Sequence, residues 1–151
     1  MVVSIQLYHT MVLAQYVLYM CMNQGEPISN LQLQKILYFI QGNHLAKKGE
    51  PLFDADFYAW KYGPVIPDIY YKYCVNGASK IRNVEALEEI SPEIKDEIDP
   101  IIQKLRVLYP WDLVEETHNV GGAWDKTFQD GKGDRYKILK DDIQKEFNNK
   151  K

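Results

Sequence analysis

The chain has 151 residues, 46% hydrophobic and 26% charged, a make-up that excludes intrinsic disorder. That length suits one domain, residues 1–151, with a core large enough to need no disulfide or metal staple. A net charge of -3 speaks against a dedicated nucleic-acid binder, which carries excess Lys and Arg.

Cys21 and Cys74 are too few for a disulfide framework, so a reduced, cytoplasmic chain is expected, with both thiols buried as small apolar groups. The first charge is Glu26, which raises the question of a signal or membrane segment. No early Lys or Arg supports a signal peptide, and Ser4, Gln6, His9, Thr10 and Gln15 interrupt any spanning run. The segment reads as a buried amphipathic helix over residues 4–23, with Leu7, Met11, Ala14, Val17, Leu18 and Cys21 at helical spacing.

Gly25 and Pro27 stop that helix. Ser29 opens the next, and Gln32 three residues on completes a capping box. This second helix runs to about Lys48 and ends at Gly49. It carries one stripe of Leu33, Ile36, Leu37, Ile40 and His44 and another of Leu31, Tyr38 and Leu45. Apolar on two sides, it is expected at the centre of the domain.

Phe53, Phe57, Tyr58, Trp60 and Tyr62 alternate through residues 51–62, which suggests a short strand over 56–62, ended by Gly63-Pro64. Gly63 should sit at a turn with positive φ. A third helix starts between Pro64 and Pro67 and stops at Asn76-Gly77. Residues 85–100 hold seven acids (Glu85, Glu88, Glu89, Glu93, Asp96, Glu97, Asp99) and one lysine, read as a solvated helix face rather than a docking patch. Ser91-Pro92 and Asp99-Pro100 are both helix-start signals. Because Pro breaks a helix interior, a break is expected near Pro100, with a helix over 99–108. A shorter helix follows over 110–117, a turn at Gly121-Gly122, a loop over 130–134 and a last helix over 140–147. The fold class is mainly α: a compact helical bundle with a short extended segment near residues 55–62.

No catalytic set emerges. His9, His44 and His118 form no metal spacing with each other or with cysteine, and His118 reads as an imidazole hydrogen-bonded at the core edge. Adjacent carboxylates such as Glu88-Glu89 point apart on a helix. Gly131-x-Gly133 lacks the third glycine of a phosphate loop. The basic tail from Lys132 interleaves seven cations with four acids, as a solvated helix does. The expectation is a non-enzymatic module with no cofactor, no metal, no nucleic acid and no membrane partner.

The run Leu33-Gln34-Lys35-Ile36-Leu37-Tyr38, followed by Trp60-Lys61-Tyr62-Gly63-Pro64-Val65-x-Pro67-x-x-Tyr70, resembles the Panacea domain, also called the SocA-like antitoxin domain. Ala14-x-Tyr16-Val17-Leu18, Gly49-x-Pro51-Leu52-Phe53 and Thr117-His118 with Trp124 add to the resemblance, which covers nearly the whole chain. Residues 125–140 match only in general character. The resemblance implies a mainly helical antitoxin that neutralises a cognate toxin encoded nearby by direct protein–protein binding. An alternative is a phage or mobile-element adaptor that hands a partner to a protease or chaperone, docking through the acidic segment. The candidate partner-binding residues are Lys35, Tyr38, Trp60, Lys61, Tyr62, Gly63, Pro64, Val65, Tyr70 and Trp124. Two further surfaces are expected to join them: an exposed edge of the second helix near Lys35, and the less constrained tail after Trp124.

Overall fold

The computed structural model describes residues 7–84 and 88–150. Seven helices and one two-stranded sheet make up the described fold. Helix α1 spans Thr10–Asn23 and α2 spans Asn30–Lys48. Strands β1 (Tyr58–Trp60) and β2 (Gly63–Val65) pair antiparallel, Tyr58 opposite Val65 and Trp60 opposite Gly63. Helices α3 (Pro67–Tyr73), α4 (Pro92–Leu105), α5 (Pro110–Thr117), α6 (Ala123–Phe128) and α7 (Lys140–Asn149) follow. The architecture is mainly α, as the sequence suggests.

Helix α2 is the hub. Its capping box forms as the sequence indicates: Ser29 Oγ accepts from the Gln32 N–H, and Gln32 Oε1 accepts from the Ser29 N–H at 2.9 Å. Both apolar stripes are engaged, because α1, α3, α4, α5, α7 and β2 all pack on it. Leu33, Ile36, Leu37, Tyr38 and Ile40 have no exposed surface. Phe147 of α7 seats on Gly42 so closely that a Cβ there would collide with its ring. Phe57 and Phe147 meet the Tyr38 ring edge-on at 5.2 and 5.6 Å, an arrangement favoured by the ring quadrupole.

Several sequence expectations need correcting. The first helix begins at Thr10, not residue 4, since Tyr8 instead forms a bridge to Phe53 and its N–H donates to the Leu52 carbonyl. His9 caps the helix and Leu7 is exposed; residues 4–6 lie outside the described part. Helix α4 runs straight through Pro100 with no new start at Asp99. The Ser91-Pro92 signal is the one used, Ser91 Oγ accepting from the Ile94 N–H. Burial of Ile98, Ile102 and Leu105 on one continuous helix face outweighs the hydrogen bond that proline removes, and the exposed side leaves the freed carbonyl to water. Gly63-Pro64 does not end the extended region but begins its return strand, with Lys61-Tyr62 as the turn. Helix α6 was not legible in the sequence, and Cys74, expected inside, is exposed while Cys21 is buried.

The acidic run is only partly a solvated face. Glu88, Glu89, Glu93 and Asp96 are exposed, but Glu97 accepts from buried His44 at 2.6 Å and Asp99 accepts from the Tyr16 hydroxyl at 2.6 Å. Glu85 lies outside the described residues. Among the described residues no helix is long and apolar enough to cross a membrane.

Candidate partner-binding surface

The hairpin of β1 and β2 is held from beneath by α2. Lys35 Nζ donates to the Pro64 carbonyl at 3.1 Å, and the Ile66 N–H donates to Gln34 Oε1 at 2.8 Å. Those two bonds occupy polar backbone groups on the outer side of the return chain. Because Pro64 pairs with Ala59, whose own N–H and C=O point to residues 135 and 136, the proline's missing N–H costs no ladder bond. On the other side of β1, the Ala59 N–H donates to the Tyr136 carbonyl, and the Arg135 N–H returns a bond to the Ala59 carbonyl. The Trp124 indole donates to the Trp60 carbonyl at 2.8 Å and fixes the hairpin to α6.

Gly63 adopts φ 114°, a region that side chains avoid. A Cβ at that position would lie 2.8 Å from Thr117 Oγ1 and 2.9 Å from Lys35 Cε. The glycine therefore serves both a backbone turn and the close approach of a lysine stem.

Lys35 is wholly buried, and among the described residues no carboxylate lies within ion-pair distance of it. Burial pulls its ammonium down from the ordinary 10.5 to about 7. The His118 ring stacks flat on Trp124, with 3.7 Å between centroids and 6° between planes. Burial first, then the nearby Lys35 charge, hold His118 below its ordinary value. Deeper still, the Tyr38 hydroxyl donates to buried Glu146 Oε1 at 2.8 Å, and the Ala123 N–H donates to the same oxygen at 2.9 Å. Desolvation, then the Glu146 charge, push the Tyr38 hydroxyl well above its usual range.

The candidate residues thus divide into two groups. Lys35, Tyr38, Gly63, Pro64, Val65 and Trp124 are buried and form the frame. The expected exposed edge of the second helix near Lys35 does not exist, because the return strand covers it. Nor is the tail after Trp124 loosely attached: Ile143, Glu146 and Phe147 are buried against α2 and α6.

The second group faces outward. Lys61 and Tyr62 are exposed, and Trp60 and Tyr70 are half-buried. Trp60 meets Tyr70 edge-on at 5.0 Å, Tyr70 meets Tyr71 at 5.4 Å, and Tyr62 meets Trp111 at 5.3 Å. The Arg135 guanidinium sits 4.3 Å from the Trp60 ring centre. Tyr71, Trp111 and Arg135 escaped the sequence reading. Trp111 lies one residue past the Pro110 helix start and belongs to the site only because α5 folds back to Tyr62. Between the hairpin and α3 opens a cleft of about 490 Å³, with Trp60, Tyr70, Val65 and Leu31 among its lining residues. Cys74 lines this cleft, its thiol on the Tyr71 carbonyl, whereas His118 lies against Trp124.

Residues 33–125 match the family model described as "Antitoxin SocA-like, Panacea domain". The chain belongs to that family. It is also 38% identical over 111 residues to Antitoxin SocA of Caulobacter vibrioides, an alignment covering 66% of this chain and 59% of that relative. No solved structure matches the chain. The matched segment runs from the first stripe of α2 to Trp124 and its neighbour, so it contains the whole buried frame that carries the hairpin.

Proposed function

We propose that this domain is an antitoxin that neutralises a cognate toxin encoded beside it through direct, stoichiometric binding and without enzymatic turnover. Membership of the SocA-like family supports the antitoxin role. The observation that carries direct binding is a set of outward rings, Trp60 and Tyr62 on a hairpin tethered by buried bonds, Tyr70 and Tyr71 on α3, and Trp111 on α5. Trp, Tyr and Arg dominate interface hot spots, and rings held rigid in advance lose little entropy on binding. A stable interface needs roughly 800 Å² per partner, more than one hairpin offers. Exposed Tyr109 and Val107, next to Trp111 in the chain, supply further apolar surface.

Co-expression with the neighbouring small reading frame tests the proposal. Growth should be restored by this chain, and purified toxin titrated against it should saturate at a fixed ratio. Protection that persists at a large excess of toxin would mean turnover and defeat the binding reading.

A further inference from the structure

The cleft between the hairpin and α3 combines three features. Its apolar walls come from Trp60, Tyr70, Val65 and Leu31. Its charge is lopsided, with Lys35, Lys61 and Arg135 against the single carboxylate of Asp134. Its amides are already committed: Asn30 Nδ2 donates to the Tyr70 carbonyl, Gln34 Nε2 donates to Asn30 Oδ1, and Gln34 Oε1 accepts from the Ile66 N–H. The cations are not. Lys61 and Arg135 lie against the Tyr62 and Trp60 rings, and neither has an ion-pair partner among the described residues. Lys35 lies behind the floor, a buried amine with no counter-ion among the described residues.

We infer that this cleft receives an acidic segment of the partner protein, with one large apolar side chain against Trp60 and Tyr70 and a neighbouring carboxylate at Lys61 and Arg135. The inference rests on the direct-binding reading and names the chemistry of what is bound. A cleft of this size lies in the range of roughly 300–1,000 Å³ that encloses a compact ligand, enough for one large side chain and its neighbour. Guanidinium and ammonium groups poised over rings are prepared for a carboxylate, since the ring face leaves their N–H groups free to donate outward. With the Asn30 and Gln34 amides engaged, the groups left to greet a ligand are chiefly the two cations, which suit a carboxylate better than a nucleobase edge. That favours a peptide over a nucleotide. In its protonated form Lys35 adds attraction for an anion through a low-dielectric wall, where charges are weakly screened.

A displayed octapeptide library panned against the full chain tests this. Selected sequences should pair an acid with a Trp, Phe, Tyr or Leu, and should compete with one another. The double variant Lys61→Glu with Arg135→Glu alters exposed side chains only. It should keep the melting temperature, weaken the acidic peptides by about tenfold or more, and select basic peptides instead. Enrichment of basic or uncharged sequences by the unaltered chain would overturn the inference, as would no enrichment at all. Displacement of the selected peptides by adenosine monophosphate at lower concentration than they displace one another would assign a nucleotide cleft and overturn it too. The rescue assay separates the two readings. If the double variant still neutralises the neighbouring toxin, the cleft assignment fails and the antitoxin reading stands. If the unaltered chain fails to rescue while acidic peptides still bind, the antitoxin reading fails and the cleft assignment stands.

Discussion

The Lys35 amine and the Pro64 carbonyl, 3.1 Å apart, join the second turn of α2 to the return strand of the hairpin. A side chain normally exposed in proteins here serves as an internal strut, and no counter-ion meets it among the described residues.

That strut makes stability depend on pH. The folded value of about 7 lies below the unfolded 10.5, so between these values the unfolded chain holds more protons. Stability should therefore rise as pH climbs from about 7 towards 10.5. Lys35→Met removes the titrating group and should flatten this rise. It also leaves the Pro64 carbonyl without its donor, at a cost of about 1–3 kcal/mol. Urea denaturation at pH 7.5 and 9.5 checks the slope: a variant that gains as much stability with pH as the parent would contradict the assignment.

Gly63→Ala should destabilise far more than Gly121→Ala. Both glycines have positive φ, 114° and 79°, but only Gly63 would drive a Cβ into Thr117 and Lys35. Backbone strain alone costs roughly 1–3 kcal/mol, and the collision adds to it at Gly63. Equal shifts in the thermal midpoint would mean that the hairpin can move away from Thr117.

Pro100→Ala should stabilise the protein. A helix-interior proline costs about 3 kcal/mol against alanine, partly offset by about 1 kcal/mol through the unfolded chain. Because Pro100 is exposed, no packing is lost on its removal. A net gain of about 1–2 kcal/mol in chemical denaturation is expected, and a loss would show that the proline is used by its surroundings.

Tyr38→Phe and Glu146→Gln should prove non-additive. They share one hydrogen bond, with Glu146 also holding Ala123. A double-mutant cycle should give a coupling of about 0.5–3 kcal/mol. Additive losses would place the energy in packing alone.

Tyr62→Ala and Trp111→Ala should leave the fold nearly unchanged, because both rings are largely exposed. Each should weaken toxin binding by about 2 kcal/mol or more if the ring face is the interface. Calorimetric titration beside a melting curve separates an anchor from a packing residue.

Much of the helical frame was legible because its signals are local. The Ser29–Gln32 box, the Gly49 stop and the Pro67 and Pro110 starts each depend on residues within one turn of the boundary. The Pro100 expectation failed because the deciding interaction is long-range burial of one α4 face. The β2 strand was missed for the same reason, since its outer polar groups are satisfied by Gln34 and Lys35 about thirty residues earlier. Within the site, the motif residues were recognisable, but their division into frame and surface was not. A lysine on a helix reads as exposed until the strand that covers it is known, and Trp111 and Arg135 join the surface only through the tertiary fold.

The seat of Phe147 on Gly42 sets an order of events during synthesis. The hub helix leaves the ribosome about a hundred residues before the ring that closes its bare flank. Until then Tyr38 has no Glu146 to meet, and α6, which clamps the hairpin through Trp124, lacks the carboxylate that receives its first N–H. The frame beneath the hairpin is thus completed by α7, which lies well beyond the segment that bears the rings. A nascent chain would carry the whole recognition motif before α6, one of its supports, has met its own partner on α7.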